Sequence, residues 1–121
     1  ILSDKDFETV VKVTTTGTNT NESIVDASAL EGAATNPRLS IVACQWTTGS
    51  QTNILFDASS NDVALSLNGN GAYNVGAQSM PSISNPASSG VTGDILLTNG
   101  SASVGTIWLK LRKVSGYNNL R

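Results

Sequence analysis

The hydrophobic rhythm of this chain constrains its fold more than any other feature. Apolar residues fall in short β-branched runs, and clusters of Gly, Asn, Ser and Pro cut each run before it reaches helical length. Period-two alternation buries one side of a strand and wets the other, so such runs can share a core only as a sheet. The first run is Phe7 to Thr16, where Phe7, Thr9, Val11 and Val13 share one face and Glu8, Val10 and Lys12 the other. Glu22 to Ser28 follows. Ala29 to Ala34 reads as a loop with room for one helical turn, closed by Asn36-Pro37 because a proline biases its predecessor away from helix.

Arg38 to Thr47 is the central strand. Leu39, Ile41 and Ala43 alternate with Val42, Cys44 and Trp46, so both faces are apolar and should be covered by protein. Thr48-Gly49-Ser50-Gln51 is expected to turn back into Thr52 to Ala58 as a hairpin. Val63 to Leu67 and Gly71 to Val75 flank an expected turn at Asn68-Gly69-Asn70-Gly71. Gly76 to Gly90 holds two of the three prolines and reads as an ordered surface loop, with a disordered loop as the alternative. Thr92 to Thr98 and Val104 to Val114 complete the set, linked through Asn99 to Ala102. In the last strand Ile107, Leu109 and Leu111 point inward, and Trp108, Lys110 and Arg112 outward. The expectation is one all-β domain over residues 1–121, an antiparallel β-sandwich or jelly roll of about eight strands. The tail after Gly116 is expected to fray or to dock on a neighbour.

Composition narrows the function. The chain carries 16 Ser, 13 Thr and 12 Asn, its net charge is −2, and 5% of its residues are aromatic. No basic footprint for nucleic acid is present, and no apolar run is long enough to span a bilayer. Ile1 to Asp6 lacks the basic-then-apolar layout of a secretory signal. Histidine is absent and Cys44 is the one cysteine, which removes His-based triads, Cys–His pairs and zinc clusters. No catalytic residue, cofactor or metal is therefore expected, and no small-molecule ligand. Two carboxylate groupings remain. Asp57 and Asp62 flank a turn and could bind calcium or act as an acid/base pair, against plain turn capping. Asp4, Asp6 and Glu8 could attract a cation, against a solvated terminus. Asn21-Glu22-Ser23 and Asn99-Gly100-Ser101 match the glycosylation pattern, which is frequent by chance in an Asn- and Ser-rich chain.

The candidate residues are for binding. Trp46 and Trp108 fall opposite the face assigned to the core and could fill a protein interface or stack on sugars, unless a second sheet covers them. Lys110, Arg112 and Lys113 form the only basic cluster. They could meet acidic residues of a partner or guard a strand edge. Ile1 and Leu2, in the segment Ile1 to Asp6, and Tyr117, in the segment to Arg121, are candidate grips on a neighbour, and trimming Ile1 to Asp6 is expected to leave the domain folded. Cys44, among apolar residues, reads as a buried thiol.

Several segments carry a resemblance: Asp26-Ala27-Ser28-Ala29-Leu30-Glu31-Gly32-Ala33, Arg38-Leu39-Ser40-Ile41, Phe56-Asp57-Ala58, Leu67-Asn68-Gly69-Asn70-Gly71, and Pro86 to Thr98. Together, from about Glu8 to Val114, the chain resembles small virion structural proteins of tailed bacteriophages, marine podoviruses in particular. Trp46, within Gln45-Trp46-Thr47, departs from the more aromatic stretch expected there. The resemblance implies a non-enzymatic capsid decoration or cement protein, made in the bacterial cytoplasm and placed on the outer surface of the virion. Its implied partners are the major capsid protein and further copies of itself. The alternative is a carbohydrate- or receptor-binding module of a tail or fibre, using Trp46, Trp108 or Tyr73 as sugar platforms.

Overall fold

The computed structural model describes residues 2–75, 80–87, 89–99 and 104–118. Their alternating runs form eight strands of one antiparallel sheet: β1 (Ser3–Asp4), β2 (Glu8–Thr15), β3 (Asn19–Val25), β4 (Ala33–Phe56), β5 (Asp62–Tyr73), β6 (Ile83–Ser84), β7 (Ile95–Asn99) and β8 (Gly105–Tyr117). A single turn of 3-10 helix at Ala27–Ala29 is the only helix among the described residues, capped by the Asp26 carboxylate, which accepts from the Ser28 N–H. The chain is all-β, as its alternation predicts, and the sheet curls into a half-barrel.

The register explains the curl. Residues 33–48 of β4 pair with β8, and residues 52–56 of the same strand pair with β7. β2 lies along β8, and β3 along β7. β5 follows the other edge of β4 past both partners. Breaks in neighbouring strips lie at the same level: residues 16–18 between β2 and β3, 49–51 within β4 and Asn68 within β5, and at that level β7 ends at Asn99 and β8 begins at Gly105. A shared line of irregularity is a crease, and the sheet bends there, because bulges locally break the ladder and increase twist. The two layers of the sandwich are the two arms of one sheet. Val11, Ile41, Leu109 and Leu111 from one arm and Val25, Phe56, Ile95 and Leu97 from the other belong to a single buried cluster.

Asn99 fastens the crease. Its side chain is almost wholly buried; Oδ1 accepts from the Asn19 N–H at 2.6 Å, and Nδ2 donates to the Gly17 carbonyl at 3.0 Å. This fixes the junction of β2 and β3 against the end of β7. It also commits the amide that the Asn99-Gly100-Ser101 pattern would offer to a sugar.

A short strap closes the far side. Val25 sits at the Phe56 end of β4 through Ile95, yet Ala33 opens the other end of β4 only eight positions later. Straight, β4 would be about 75 Å long, whereas eight residues span at most about 29 Å. The arms must fold back until their ends meet. At that meeting point Tyr117 Oη donates to the Ala27 carbonyl at 2.9 Å, the Ala27 N–H donates to Asp94 Oδ1 at 2.9 Å, and Gly93 and Gly116 press on Asn36-Pro37.

Three expected boundaries differ. Asn36-Pro37 does not end a segment; Asn36 takes a left-handed φ of 52°, and the chain passes through it as a bulge inside β4. The expected turns Thr48–Gln51 and Asn68–Gly71 are not turns. They lie side by side in β4 and β5, where three residues of β4 face one of β5 across the crease. The hairpin between β4 and β5 reverses at 57–61, the turn that Asp57 and Asp62 are expected to flank. The Gly76–Gly90 stretch is ordered where it is described, since Ile83–Ser84 pairs with Ser40–Ile41; positions 76–79 and 88, like the Gly100–Ala102 link, lie outside the described residues.

Gly116 has φ 78°, and a Cβ there would meet Asn36 O and Pro37 Cα at 2.5 Å, whereas Gly17, at φ 76°, faces open space. Gly116→Ala is therefore expected to cost about 3 kcal/mol and Gly17→Ala about 1 kcal/mol, read from urea denaturation midpoints. Equal losses would show that the seam at Pro37 tolerates movement.

Candidate functional site

Alternation along β8 sorts the candidate residues. Ile107, Leu109 and Leu111 are fully buried, while Trp108, Lys110 and Arg112 stand on the opposite face. Register carries that outer face across three strands. Trp108 lies between Lys12 and Gln45, Lys110 between Val10 and Ala43, and Arg112 between Glu8 and Ser40. Trp108 is 37% exposed near the middle of this face. A groove of about 320 Å3 runs beside it, lined by Val10, Ala43, Gln45, Asn74 and Lys110 among others. Lys110 Nζ lies 3.7 Å from Glu8 Oε1, with both side chains about half in water, a contact of small energetic weight. Among the described residues, neither Lys12 nor Arg112 makes an ion pair.

Trp46 is not on this face. Ile41 pairs with Leu111, Ala43 with Lys110 and Cys44 with Leu109, so Val42 is an extra residue, and one extra residue reverses every later side chain. Cys44 and Trp46 thereby join Ile41 on the core side. The Trp46 indole covers Gly71, where a Cβ would come within 2.5 Å of the ring. Its Nε1 is buried and has no partner among the described residues. Cys44 is buried as expected, and burial pushes its thiol up to about 12, so it stays protonated at neutral pH.

Tyr117 is not a surface grip either. It is 6% exposed and seals the strap through its bond to Ala27, and the Asn118 N–H donates to the Gly32 carbonyl, so the described part of the tail docks on its own chain. Burial, reinforced by the carboxylates of Asp4, Asp94 and Asp26, raises the Tyr117 phenol to about 12. Ile1 lies outside the described residues. Leu2 is exposed, and its backbone N–H extends the β1–β2 ladder to the Val10 carbonyl.

Lys113 also leaves the basic cluster. It continues the inward row of Ile107, Leu109 and Leu111, and its side chain is fully buried. Nζ donates to the Asp4 carboxylate at 2.7 Å, the Lys5 carbonyl at 2.6 Å and the Glu31 carbonyl at 2.8 Å, and lies 5.1 Å from the Tyr117 ring centroid. A buried ammonium persists only when its donors are matched, and here all three are. The segment expected to be a removable grip thus supplies the counter-ion of the core.

At the 57–61 turn the capping group is a carboxamide, and Asp57 bonds outside the turn. Asn61 Oδ1 accepts from the Ala58 N–H, closing the 57–61 turn, and Asp57 accepts from the Thr92 hydroxyl at 2.6 Å. Burial, with help from the Asp26 and Asp57 charges, raises the Asp94 carboxyl against the opposing hydrogen bond from Ala27. Among the described residues no group of three or more His, Cys, Asp or Glu is arranged to hold a metal ion, and no helix is long and apolar enough to cross a membrane. No protein-family model, no curated protein and no solved structure matches this chain.

Partial burial alone would raise the Asp4 carboxyl. Hydrogen bonds from Lys113, the Glu31 N–H and Thr9, with the Lys113 charge, outweigh it and hold Asp4 below the ordinary carboxylate range. A depressed pKa in the fold stabilises it above the unfolded value near ~3.9, and the gain is lost as pH falls through the folded value. Asp94 works in the opposite sense, so the comparison is between wild type and variant. Asp4→Ala is expected to cost about 3 kcal/mol at pH 7, the low end for an unpaired buried charge because Asp4 keeps a fifth of its side chain in water. The gap between the two unfolding midpoints should narrow below pH 4. A constant gap from pH 7 to pH 3 would contradict this assignment.

Proposed function

We propose that this chain is a non-enzymatic virion structural protein, of the kind that decorates or cements a phage capsid, and that it docks through the face around Trp108. The observation that carries the reading is the tryptophan itself. The strip arrangement buries Ile107, Leu109 and Leu111 of β8 in the core yet leaves an indole 37% exposed near the middle of a three-stranded face, with Val114 of the same strand exposed toward its end. Aromatic anchors at the centre of a flat patch dominate the energetics of protein interfaces. The resemblance to small virion proteins of tailed phages gives the setting: the outer surface of a shell, with the major capsid protein and further copies of the chain as neighbours. A fold that holds together without a disulfide, closed by its own strap and a buried ion pair, suits a part that must survive outside a cell.

A carbohydrate-binding module of a tail or fibre is the second reading, favoured by the same exposed indole on a flat sheet face.

The test is binding of the purified protein to shells of its particle that lack it, followed by cosedimentation. Trp108→Ala is expected to lower shell affinity by about 2 kcal/mol or more. Because the indole is only 37% exposed, its loss should also lower the stability of the fold by about 1–2 kcal/mol while leaving it folded, which circular dichroism checks before affinities are compared. Decoration by the variant at wild-type levels would sink the docking assignment. Absence of wild-type binding, together with a sugar-dependent change in tryptophan emission, would establish the module reading instead.

A further inference from the structure

The charge on the Trp108 face runs against that of the chain. Lys12, Lys110 and Arg112 stand on it, with Glu8 as the only carboxylate among the described residues paired there, in a chain whose net charge is −2. Lys12 and Arg112 have no ionic partner among the described residues, and Lys110 shares one weak contact with Glu8. Lys110 lines an apolar groove together with Val10, Ala43 and Trp108, and Lys12 and Arg112 stand on the same face one row to either side of Lys110. Unsatisfied charge around a hydrophobic centre is how an interface selects the sign of its partner.

We propose that this face docks an acidic protein surface. The partner places an apolar side chain in the groove beside Trp108 and sets carboxylates against Lys12, Lys110 and Arg112. The proposal rests on the docking reading above and names the chemistry of the shell surface it requires. Two other occupants fit less well. A nucleic acid would also meet the neighbouring groove, where Asp6, Glu8 and Glu31 outnumber Lys5 and Asp4 is already paired with Lys113, so that its net charge repels a phosphate backbone. A second copy docked two-fold through this face would set like charges against one another.

The experiment measures affinity for the same shells at 50 and 500 mM NaCl, for wild type and for the triple variant Lys12→Glu/Lys110→Glu/Arg112→Glu. These side chains point to water, so circular dichroism and the unfolding midpoint of the variant serve as the folding check. Single-stranded DNA is titrated in parallel, and sedimentation velocity of the protein alone is run at both salt concentrations. Wild-type binding should weaken roughly tenfold or more at high salt, since screening acts on exposed charge, and the reversed face should bind more weakly still. Lys12→Arg/Lys110→Arg, which keeps the charge, should bind like wild type. Shell binding indifferent to both salt and reversal overturns the acidic-partner inference while leaving the docking reading in place. No shell binding at all overturns both. Binding of DNA, or self-association, that is abolished by the reversal would assign the face to that occupant and overturn the inference.

Discussion

Everything in this structure depends on the mismatch between a very long strand and a very short return. β4 runs through 24 residues, and the strap from Val25 to Ala33 must connect its two ends. No flat sheet satisfies both. The chain meets the constraint by aligning breaks of neighbouring strips at one level, so that these local defects add up to one crease, while the bulges at Asn36 and Val42 lie elsewhere along β4. Once the sheet has folded, its inward rows face each other and the core forms without a second sheet. Tyr117, Asp94, Gly93 and Gly116 then lock the returning ends together around Ala27 and Pro37. Polar side chains gather where the ladder is broken: Thr15, Thr48, Thr52 and Asn99 are all buried. Backbone groups released by a bulge need such partners: Thr15 and Thr52 donate to carbonyls there and Asn99 serves two backbone groups at once, while the buried Thr48 hydroxyl has no partner among the described residues.

Lys113 is the second commitment. An ammonium in the inward row of β8 would ordinarily cost several kcal/mol, and it is tolerated because three different segments converge on it. β1 brings the carboxylate, the link to β2 brings one carbonyl, and the strap brings another. The interaction adds little that a well-packed apolar side chain could not supply. What it does add is direction, because only one docking of the N-terminal segment satisfies all three donors.

Much of this was legible in the residues and some was not. The parity of β8 was plain: 107, 109 and 111 inward, 108, 110 and 112 outward. Followed one step further, the same parity puts Lys113 inside, but a lysine beside Lys110 and Arg112 looked like surface charge. The strand content and the buried Cys44 also followed from pattern; the helical turn expected within Ala29–Ala34 lies earlier, at Ala27–Ala29, in a stretch read mostly as strand. What failed was punctuation. Gly and Asn mark turns and bulges alike, so Thr48–Gln51 and Asn68–Gly71 looked like chain reversals although each is the defect that matches the other across one ladder. Nothing local distinguishes the two, because the difference lies in the partner strand. Trp46 was misplaced for the same reason: a single extra residue at Val42 reverses the phase, and composition does not reveal it. The outer face could be half seen. Trp108, Lys110 and Arg112 come from one strand's alternation, whereas the presence of Lys12, Val10 and Ala43 beside them depends on register.

The position of β8 between β2 and β4 also sets a timetable. β2 is synthesised well before its partner β8; the bond from Lys113 to Lys5 closes a separation of 108 positions. β4 and β5 can pair early as a hairpin, but β2 must wait beside an empty lane until β8 threads in and bonds on both sides at once. Such non-local closure is slow by nature, and it leaves an open edge in the nascent chain. β8 is therefore the keystone of assembly, and until it is in place β1 and β2 stay unjoined to the rest of the sheet.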